Sequence, residues 1–207
     1  MDNRVNLTSS LLENAVEQLT MLPGIGKKSA LRFAMHLLNQ PVENVEKLGQ
    51  SIIKLRREIK YCNNCNMISD SSLCSVCSDK KRDYSIICVV ESIRDVISIE
   101  KTNEYRGLYH VLGAIISPMD GISPSDLKID NLISRASKEP VKEILLALSA
   151  SMEGETTSFY LYRKLKDFPV KISVIARGVG FGDELEFTDE LTLGKSIINR
   201  QPFIPNT

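Results

Sequence analysis

The sequence predicts a multi-module chain, α+β in its first part and α/β in its second. A small helical bundle leads into a four-cysteine finger, then an α/β domain with a mostly parallel four-stranded sheet, then a C-terminal extension. Three observations carry this reading. Helical periodicity flanks Leu22-Pro23-Gly24-Ile25-Gly26; four cysteines fall in two Cys-x-x-Cys pairs; and from Tyr84 onward apolar strands alternate with amphipathic helices.

The first helix spans residues 10 to 20, where Leu11, Leu12, Ala15, Val16 and Leu19 recur at helical spacing behind a Thr8-Ser9-Ser10 cluster able to supply the cap. Gly24 and Gly26, separated by one apolar residue, let the backbone turn sharply. A second helix starts near Lys28 and carries Leu31, Phe33, Ala34, Leu37 and Leu38. Helix, Leu-Pro-Gly-Ile-Gly hairpin, helix is the pattern of a helix-hairpin-helix DNA-binding motif. Amides of the hairpin and of the second helix's first turn point outward, and the helix dipole adds positive charge, so a phosphate can sit there. Lys28 and Arg32 lie four apart on one face, Lys27 adds a third cation, and no acidic residue stands between Leu22 and Arg32. Such a site grips the backbone without reading bases; the alternative is a helical turn with a solvated basic face. A P-loop is excluded, because Lys28 stands where Ser or Thr is required and Met21 where the first glycine belongs.

After Pro41, Val45, Leu48, Ile52, Leu55 and Ile59 predict a third helix. Its cations Lys54, Arg56, Arg57 and Lys60 either extend the positive surface or form a solvated face. Cys62-Asn-Asn-Cys65 and Cys74-Ser-Val-Cys77 then place four thiolates at the mouths of two tight turns, a set suited to one tetrahedral Zn²⁺; the alternatives are two disulfides, which a reducing compartment disfavours, and four reduced core cysteines. The eight residues between the pairs predict a compact knuckle. Lys60, Lys80, Lys81 and Arg82 flank it and are expected to offset part of its negative charge. The fifth cysteine, Cys88, lies in Ile86-Ile87-Cys88-Val89-Val90 and is expected to be buried in a strand.

In the α/β part, strands are predicted at Ile86 to Val90, Leu108 to Leu112, Ile144 to Leu148 and Lys171 to Ile175. Helices are predicted at Ser92 to Glu100, Asp130 to Ser137 and Glu155 to Leu165, with a long loop over residues 117 to 124. Glu91 and Glu153-Gly154-Glu155 fall at the C-terminal edge of the strands. Carboxylates there can hold Mg²⁺ for phosphoryl transfer, but Ser149-Ala150-Ser151 supplies no aspartate, which argues against metal catalysis. The alternatives are a surface for a protein partner and simple helix N-terminal carboxylates. Gly178, Gly180 and Gly182 predict a sharply bent backbone; a phosphate cradle is opposed by the acids that follow. The tail from Ile197 is expected to run extended, across a neighbouring subunit.

The totals set limits. A chain of 207 residues with 43% hydrophobic residues can bury a core, and no apolar run approaches membrane-spanning length, so a soluble, cytoplasmic protein without membrane association is expected. The formal net charge is zero, but residues 1 to 83 hold 12 Lys/Arg against 9 Asp/Glu and the remainder 14 against 17. Local patches, not net charge, must decide for or against nucleic acid.

These modules in this order resemble the RecR family of bacterial recombination mediators over essentially the whole chain. The resemblance rests on Leu22-Pro23-Gly24-Ile25-Gly26-x-Lys28-Ser29-Ala30, the four cysteines, Ile87-Cys88-Val89-Val90-Glu91, and Tyr109-His110-Val111-Leu112-Gly113. It continues through Ser117-Pro118-Met119-Asp120-Gly121-Ile122, Glu153-Gly154-Glu155, and Ala176-Arg177-Gly178-Val179 to Asp189-Glu190-Leu191-Thr192-Leu193-Gly194. It implies a helix-hairpin-helix domain at residues 1 to 57, a zinc finger at 58 to 81, a Toprim domain at 82 to 175, and a Walker-B-like and oligomerisation segment at 176 to 207.

By the same resemblance, Gly24, Gly26, Lys27, Lys28 and Arg32 would contact single- and double-stranded DNA, while Cys62, Cys65, Cys74 and Cys77 would hold one structural Zn²⁺. Glu91, Glu153 and Glu155 would form the acidic Toprim patch associated with RecO. The chain would assemble through dimers into a tetrameric ring and act with RecO and RecF to load RecA onto single strands coated by single-strand-binding protein. Catalytic Toprim proteins carry Asp-x-Asp where this chain has Ser149-Ala150-Ser151, so no enzymatic activity is implied. Lys27 stands where the family often has proline.

Overall fold

The computed structural model describes residues 9–137, 140–180, 182–200 and 202. They fall into two compact units, one ending at Ile59 and the other beginning at Lys60.

The first unit is helical: α1 Ser10–Thr20, α2 Lys27–Leu38 and α3 Val42–Glu58. Ser9 caps α1, accepting from Leu12 N at 3.5 Å. Gly24 has φ +80°, the left-handed region that side chains disfavour, and the turn is closed by Ile25 N donating to Leu22 O at 3.1 Å. α2 buries Ala30 and Ala34, small residues that allow close helix contact. α3 begins at Val42, three residues before the first position of its predicted apolar stripe, because Pro41 can open a helix at no hydrogen-bond cost. Leu48, Ile52 and Leu55 of that stripe are exposed, at 47%, 61% and 62%.

In the second unit a two-stranded antiparallel hairpin, β1 Lys60–Tyr61 with β2 Ile68–Ser69, and a single helical turn, α4 Ser75–Ser78, form the finger. The sheet that follows contains β3 Asp83–Val90, β4 Gly107–Val111, β5 Glu143–Leu146 and β6 Lys171–Val174, all parallel in the order β4-β3-β5-β6. The helices are α5 Ile93–Thr102, α6 Ile129–Ala136, α7 Met152–Leu165 and α8 Glu190–Ile198. Two short 3₁₀ turns, Pro118–Asp120 and Pro124–Asp126, occupy the predicted loop.

Alternation along β3 divides the core into two layers. Ile87 and Val89 join Leu132, Leu146, Leu161 and Leu165, with α6 and α7. Cys88 and Val90 join Val96, Tyr109 and the four finger cysteines. Cys88 is fully buried, as its strand position predicts.

Three predicted boundaries need correction. β3 starts at Asp83 rather than at Ile86, because Asp83 N donates to Arg106 O at 2.8 Å and extends the ladder. α7 starts at Met152 rather than at Glu155, because Ser151 caps it by accepting from Gly154 N at 3.1 Å. Ile197 and Ile198 end α8 and do not begin an extended tail, because Asp189 accepts from Thr192 N at 2.9 Å and opens a helix that reaches them. Of the rest of that tail, residues 201 and 203–207 lie outside the described residues.

Candidate nucleic-acid interface and zinc centre

The structure brings Gly24, Gly26, Lys27, Lys28 and Arg32 to one end of α2. Gly26 is the N-cap, in extended backbone, and gives no side-chain hydrogen bond to the helix; the first turn carries no acidic residue. The opening amides of α2 therefore keep their donor capacity, and the helix dipole reinforces it. Lys27, Lys28 and Arg32 are all exposed at the surface of this turn. Among the described residues none of the three enters a salt bridge; Arg32 lies over the Phe33 ring at 5.5 Å. A hairpin of this build offers amides and mobile cations to an anion and offers nothing shaped for a base. On α3, Lys54 pairs with Glu58 at 3.8 Å, while Arg56 and Arg57 are exposed.

The four cysteines of the finger converge, with their sulfur atoms all within 4.8 Å of one another. The Cys65 and Cys74 sulfurs stand 3.5 Å apart, close to the ~3.8 Å edge of a tetrahedron whose Zn–S bonds are about 2.3 Å. All five cysteines of the chain are unbridged, and all are buried. Hydrogen bonds from the neighbouring thiols and from Asn64 Nδ2 pull the Cys77 thiol down to about 5. Burial pushes Cys74 up to about 11, and the Cys77 hydrogen bond with burial raises Cys65. Four thiolates this close repel one another, so all four ionise together only around a dication. The donor set and spacing fit Zn²⁺, which would offset two of the four thiolate charges and close the finger's fold.

The knuckle is also the outer cover of the sheet. β4 is an edge strand, and Tyr109 and Val111 turn their backbone groups away from β3. Val111 N donates to Cys65 O at 2.9 Å, and Asn66 Nδ2 donates to Val111 O at 2.9 Å. Asn66 has φ +63°, a conformation that asparagine tolerates. From α6, Asn131 Nδ2 donates to Asn63 O at 2.7 Å and to Asn64 O at 3.1 Å. Arg135 Nη1 donates to Tyr109 O at 2.8 Å and to Asn64 O at 3.2 Å. Sequence reasoning assigns the charge offset to Lys60, Lys80, Lys81 and Arg82, yet those lysines stay at the surface and Arg82 faces Glu100. The buried cation at the finger is Arg135. Its only signal in the sequence is a charge on the apolar stripe shared with Leu132 and Ala136.

The acidic residues separate into different environments. Glu91 follows β3; burial, then the nearby Asp95 carboxylate, raises its pKa. Glu153 sits in the first turn of α7. Glu155 accepts from Lys195 at 3.1 Å and from Arg177 at 3.0 Å, and these bonds hold its carboxyl below the usual range. It ties α7 to the C-terminal segment. Where Asp-x-Asp would stand, the Ser149 and Ser151 hydroxyls lie 3.0 Å apart and Ser151 caps α7, so those two positions offer no carboxylate. The glycine run borders a depression of about 500 Å³ whose walls include Asp183, Glu184 and Asp189, an unfavourable lining for phosphate.

Comparison with known proteins places these modules. The RecR helix-hairpin-helix family matches residues 12–55, the RecR four-cysteine zinc finger domain residues 59–79, the Toprim domain residues 85–176 and the RecR C-terminal family residues 178–201. The Recombination protein RecR of Porphyromonas gingivalis is 56% identical over 196 residues, covering 95% of each chain. That of Bacteroides thetaiotaomicron is 57% identical over 195 residues, 94% of this chain and 95% of the relative. That of Flavobacterium psychrophilum is 50% identical over 199 residues, 96% and 97%. With the helical hairpin, the four-cysteine centre and the parallel sheet in the same order along its whole length, the chain belongs to the RecR family of recombination proteins.

Proposed function

We propose that the protein is a non-catalytic DNA clamp of recombinational repair, cytoplasmic and without membrane association, that binds single- and double-stranded DNA. It acts with RecO and RecF to load RecA onto strands coated by single-strand-binding protein. The observation that carries the DNA reading is the acid-free opening turn of α2 beside Gly24, where Lys27, Lys28 and Arg32 make no salt bridge among the described residues. One such site is weak. Ring closure, as a tetramer built from dimers, multiplies it through effective concentration. The exposed apolar residues of the first unit support assembly: Leu11, Leu38 and Val42 are 81%, 68% and 72% exposed around an apolar groove. In this reading the modules divide at residues 57, 81 and 175.

Glu91 and Glu153 supply the acidic surface for RecO, and Glu155 contributes less because Arg177 and Lys195 already hold it. The absence of turnover follows from Ser149 and Ser151, whose hydroxyls cannot bind the paired Mg²⁺ ions of phosphoryl transfer.

The test is salt-titrated binding to single- and double-stranded DNA by the parent and by Lys28→Ala with Arg32→Ala. The double variant should bind more weakly on every sequence; parental affinity at moderate salt would refute the hairpin's role. Incubation of DNA with the protein and Mg²⁺ or Mn²⁺ should leave the strands intact. Cleavage or synthesis abolished by Glu91→Gln would instead establish an enzyme.

A further inference from the structure

Arg135 is 6% exposed, and its Nη2 has no hydrogen-bond partner among the described residues. Its two acceptors, Tyr109 O and Asn64 O, are neutral carbonyls. A buried guanidinium needs a counter-charge as well as acceptors. Among the described residues no carboxylate pairs with it; burial lowers its pKa, and the groups that oppose this are the thiols of Cys77, Cys65 and Cys62, with Tyr105 behind them. His110, the other buried base nearby, is kept neutral by burial, with its Nε2 at 2.6 Å from Lys128 O. Hydrogen bonding of the knuckle does not by itself require an arginine, because Asn131 already donates to Asn63 O and Asn64 O. Beyond its bond to Tyr109 O, what only Arg135 adds is charge, and a Zn²⁺ bound by four thiolates carries a formal excess of two negative charges.

We infer that Arg135 is a positioning residue of the zinc centre, its guanidinium offsetting the excess charge of the tetrathiolate while tying the knuckle to β4. The affinity of the finger for its ion is therefore set partly by α6, an element of the α/β layer distant in sequence from any ligand. This is the outer-sphere role that hydrogen-bonded partners play at other metal sites, with charge as its main component.

The experiment measures zinc affinity of the full-length protein by competition with a chromophoric chelator at neutral pH, and records the sulfur-to-metal charge-transfer band after cobalt substitution. Far-UV circular dichroism reports folding. Arg135→Gln should weaken zinc binding about 10- to 100-fold and shift the cobalt band. Arg135→Lys keeps the charge without the planar fork and should stay within about fivefold of the parent; Asn131→Ala removes hydrogen bonds alone and should stay within about threefold. If Arg135→Gln does not fold, a folded Arg135→Lys with near-parental affinity still supports the inference. Parental zinc affinity in Arg135→Gln overturns it. So does an Arg135→Lys as weak as the glutamine variant or unable to fold, or an Asn131→Ala equally weak, since hydrogen-bond geometry would then be the cause.

Discussion

Arg82 and Glu100 face each other as a two-pronged pair, Nη1 donating to Oε1 at 2.8 Å and Nη2 to Oε2, while Tyr109 Oη donates to the same Oε1 at 2.7 Å. Arg82 follows the finger and Glu100 lies on α5, so the pair fixes the exit of the finger against the sheet's first helix. The Arg82 side chain is 10% exposed and that of Glu100 32%. Removing one partner leaves the other partly buried and unbalanced.

Glu100→Gln should therefore lower unfolding stability by about 2–3 kcal/mol, less than for a fully buried pair. The Arg82 hydrogen bond depresses the Glu100 pKa. A depressed carboxylate contributes stability that is present above its unfolded pKa and lost as pH falls through its folded one. Urea midpoints of the parent should drop on acidification below the ordinary carboxylate range, and the drop should be smaller in Glu100→Gln.

Gly154 tolerates no side chain. A Cβ built there would stand 2.1 Å from Ser149 O and 2.6 Å from Ser149 Oγ, backbone and hydroxyl that the α7 cap holds in place. Gly154→Ala should cost about 3 kcal/mol despite alanine's better helix propensity. Urea unfolding checks this, with Gly194→Ala as the open-space control, since nothing lies within 4 Å of its added Cβ.

On DNA, each phosphate released should change the slope of log K against log salt by roughly 0.7 to 0.9. Single Ala variants of Lys27, Lys28 and Arg32 should each weaken binding without altering sequence preference, and the slope change ranks their contributions. Gly24→Ala forces a side chain into φ +80° and should weaken DNA binding by distorting the hairpin, measured by the same titration.

Stripping zinc should expose the outer backbone groups of Tyr109 and Val111. An uncovered edge strand templates further pairing. Protein treated with a strong chelator should associate, with a rise in intermolecular β signal by infrared spectroscopy, and addition of zinc before association should prevent it.

Glu155→Gln weakens the bridges to Arg177 and Lys195, both at the surface. Little change in global unfolding is expected. The local effect is larger: amide protection around Arg177 and Lys195, corrected for the intrinsic exchange rate, should fall, and in the parent it should fall as pH drops through the lowered Glu155 pKa.

The modules are legible wherever one periodicity or one spacing is uninterrupted. β3 announces itself through five apolar residues in a row, α2 through its stripe after Gly26, and the zinc set through two identical pairs. α7 reads too short because Glu153 and Gly154 look like loop residues; the Ser151 cap that recruits them depends on a geometry that forms only in the fold. The place of Arg135 at the finger is illegible for a different reason. Neighbouring lysines are close in sequence but remain in water, whereas Arg135 reaches the knuckle through a helix that follows β4, and no local pattern encodes that proximity. Glu155 similarly reads as surface charge because its partners, Arg177 and Lys195, lie far along the chain.

The burial of Cys88 makes the chain its own gauge of metal content. Its sulfur is sealed between strand and helix, and burial pushes its thiol up to about 12, so it does not answer a thiol reagent while the sheet stands. A loaded, folded molecule then presents no reactive sulfur, one that has surrendered its ion presents four, and one that has come apart presents all five.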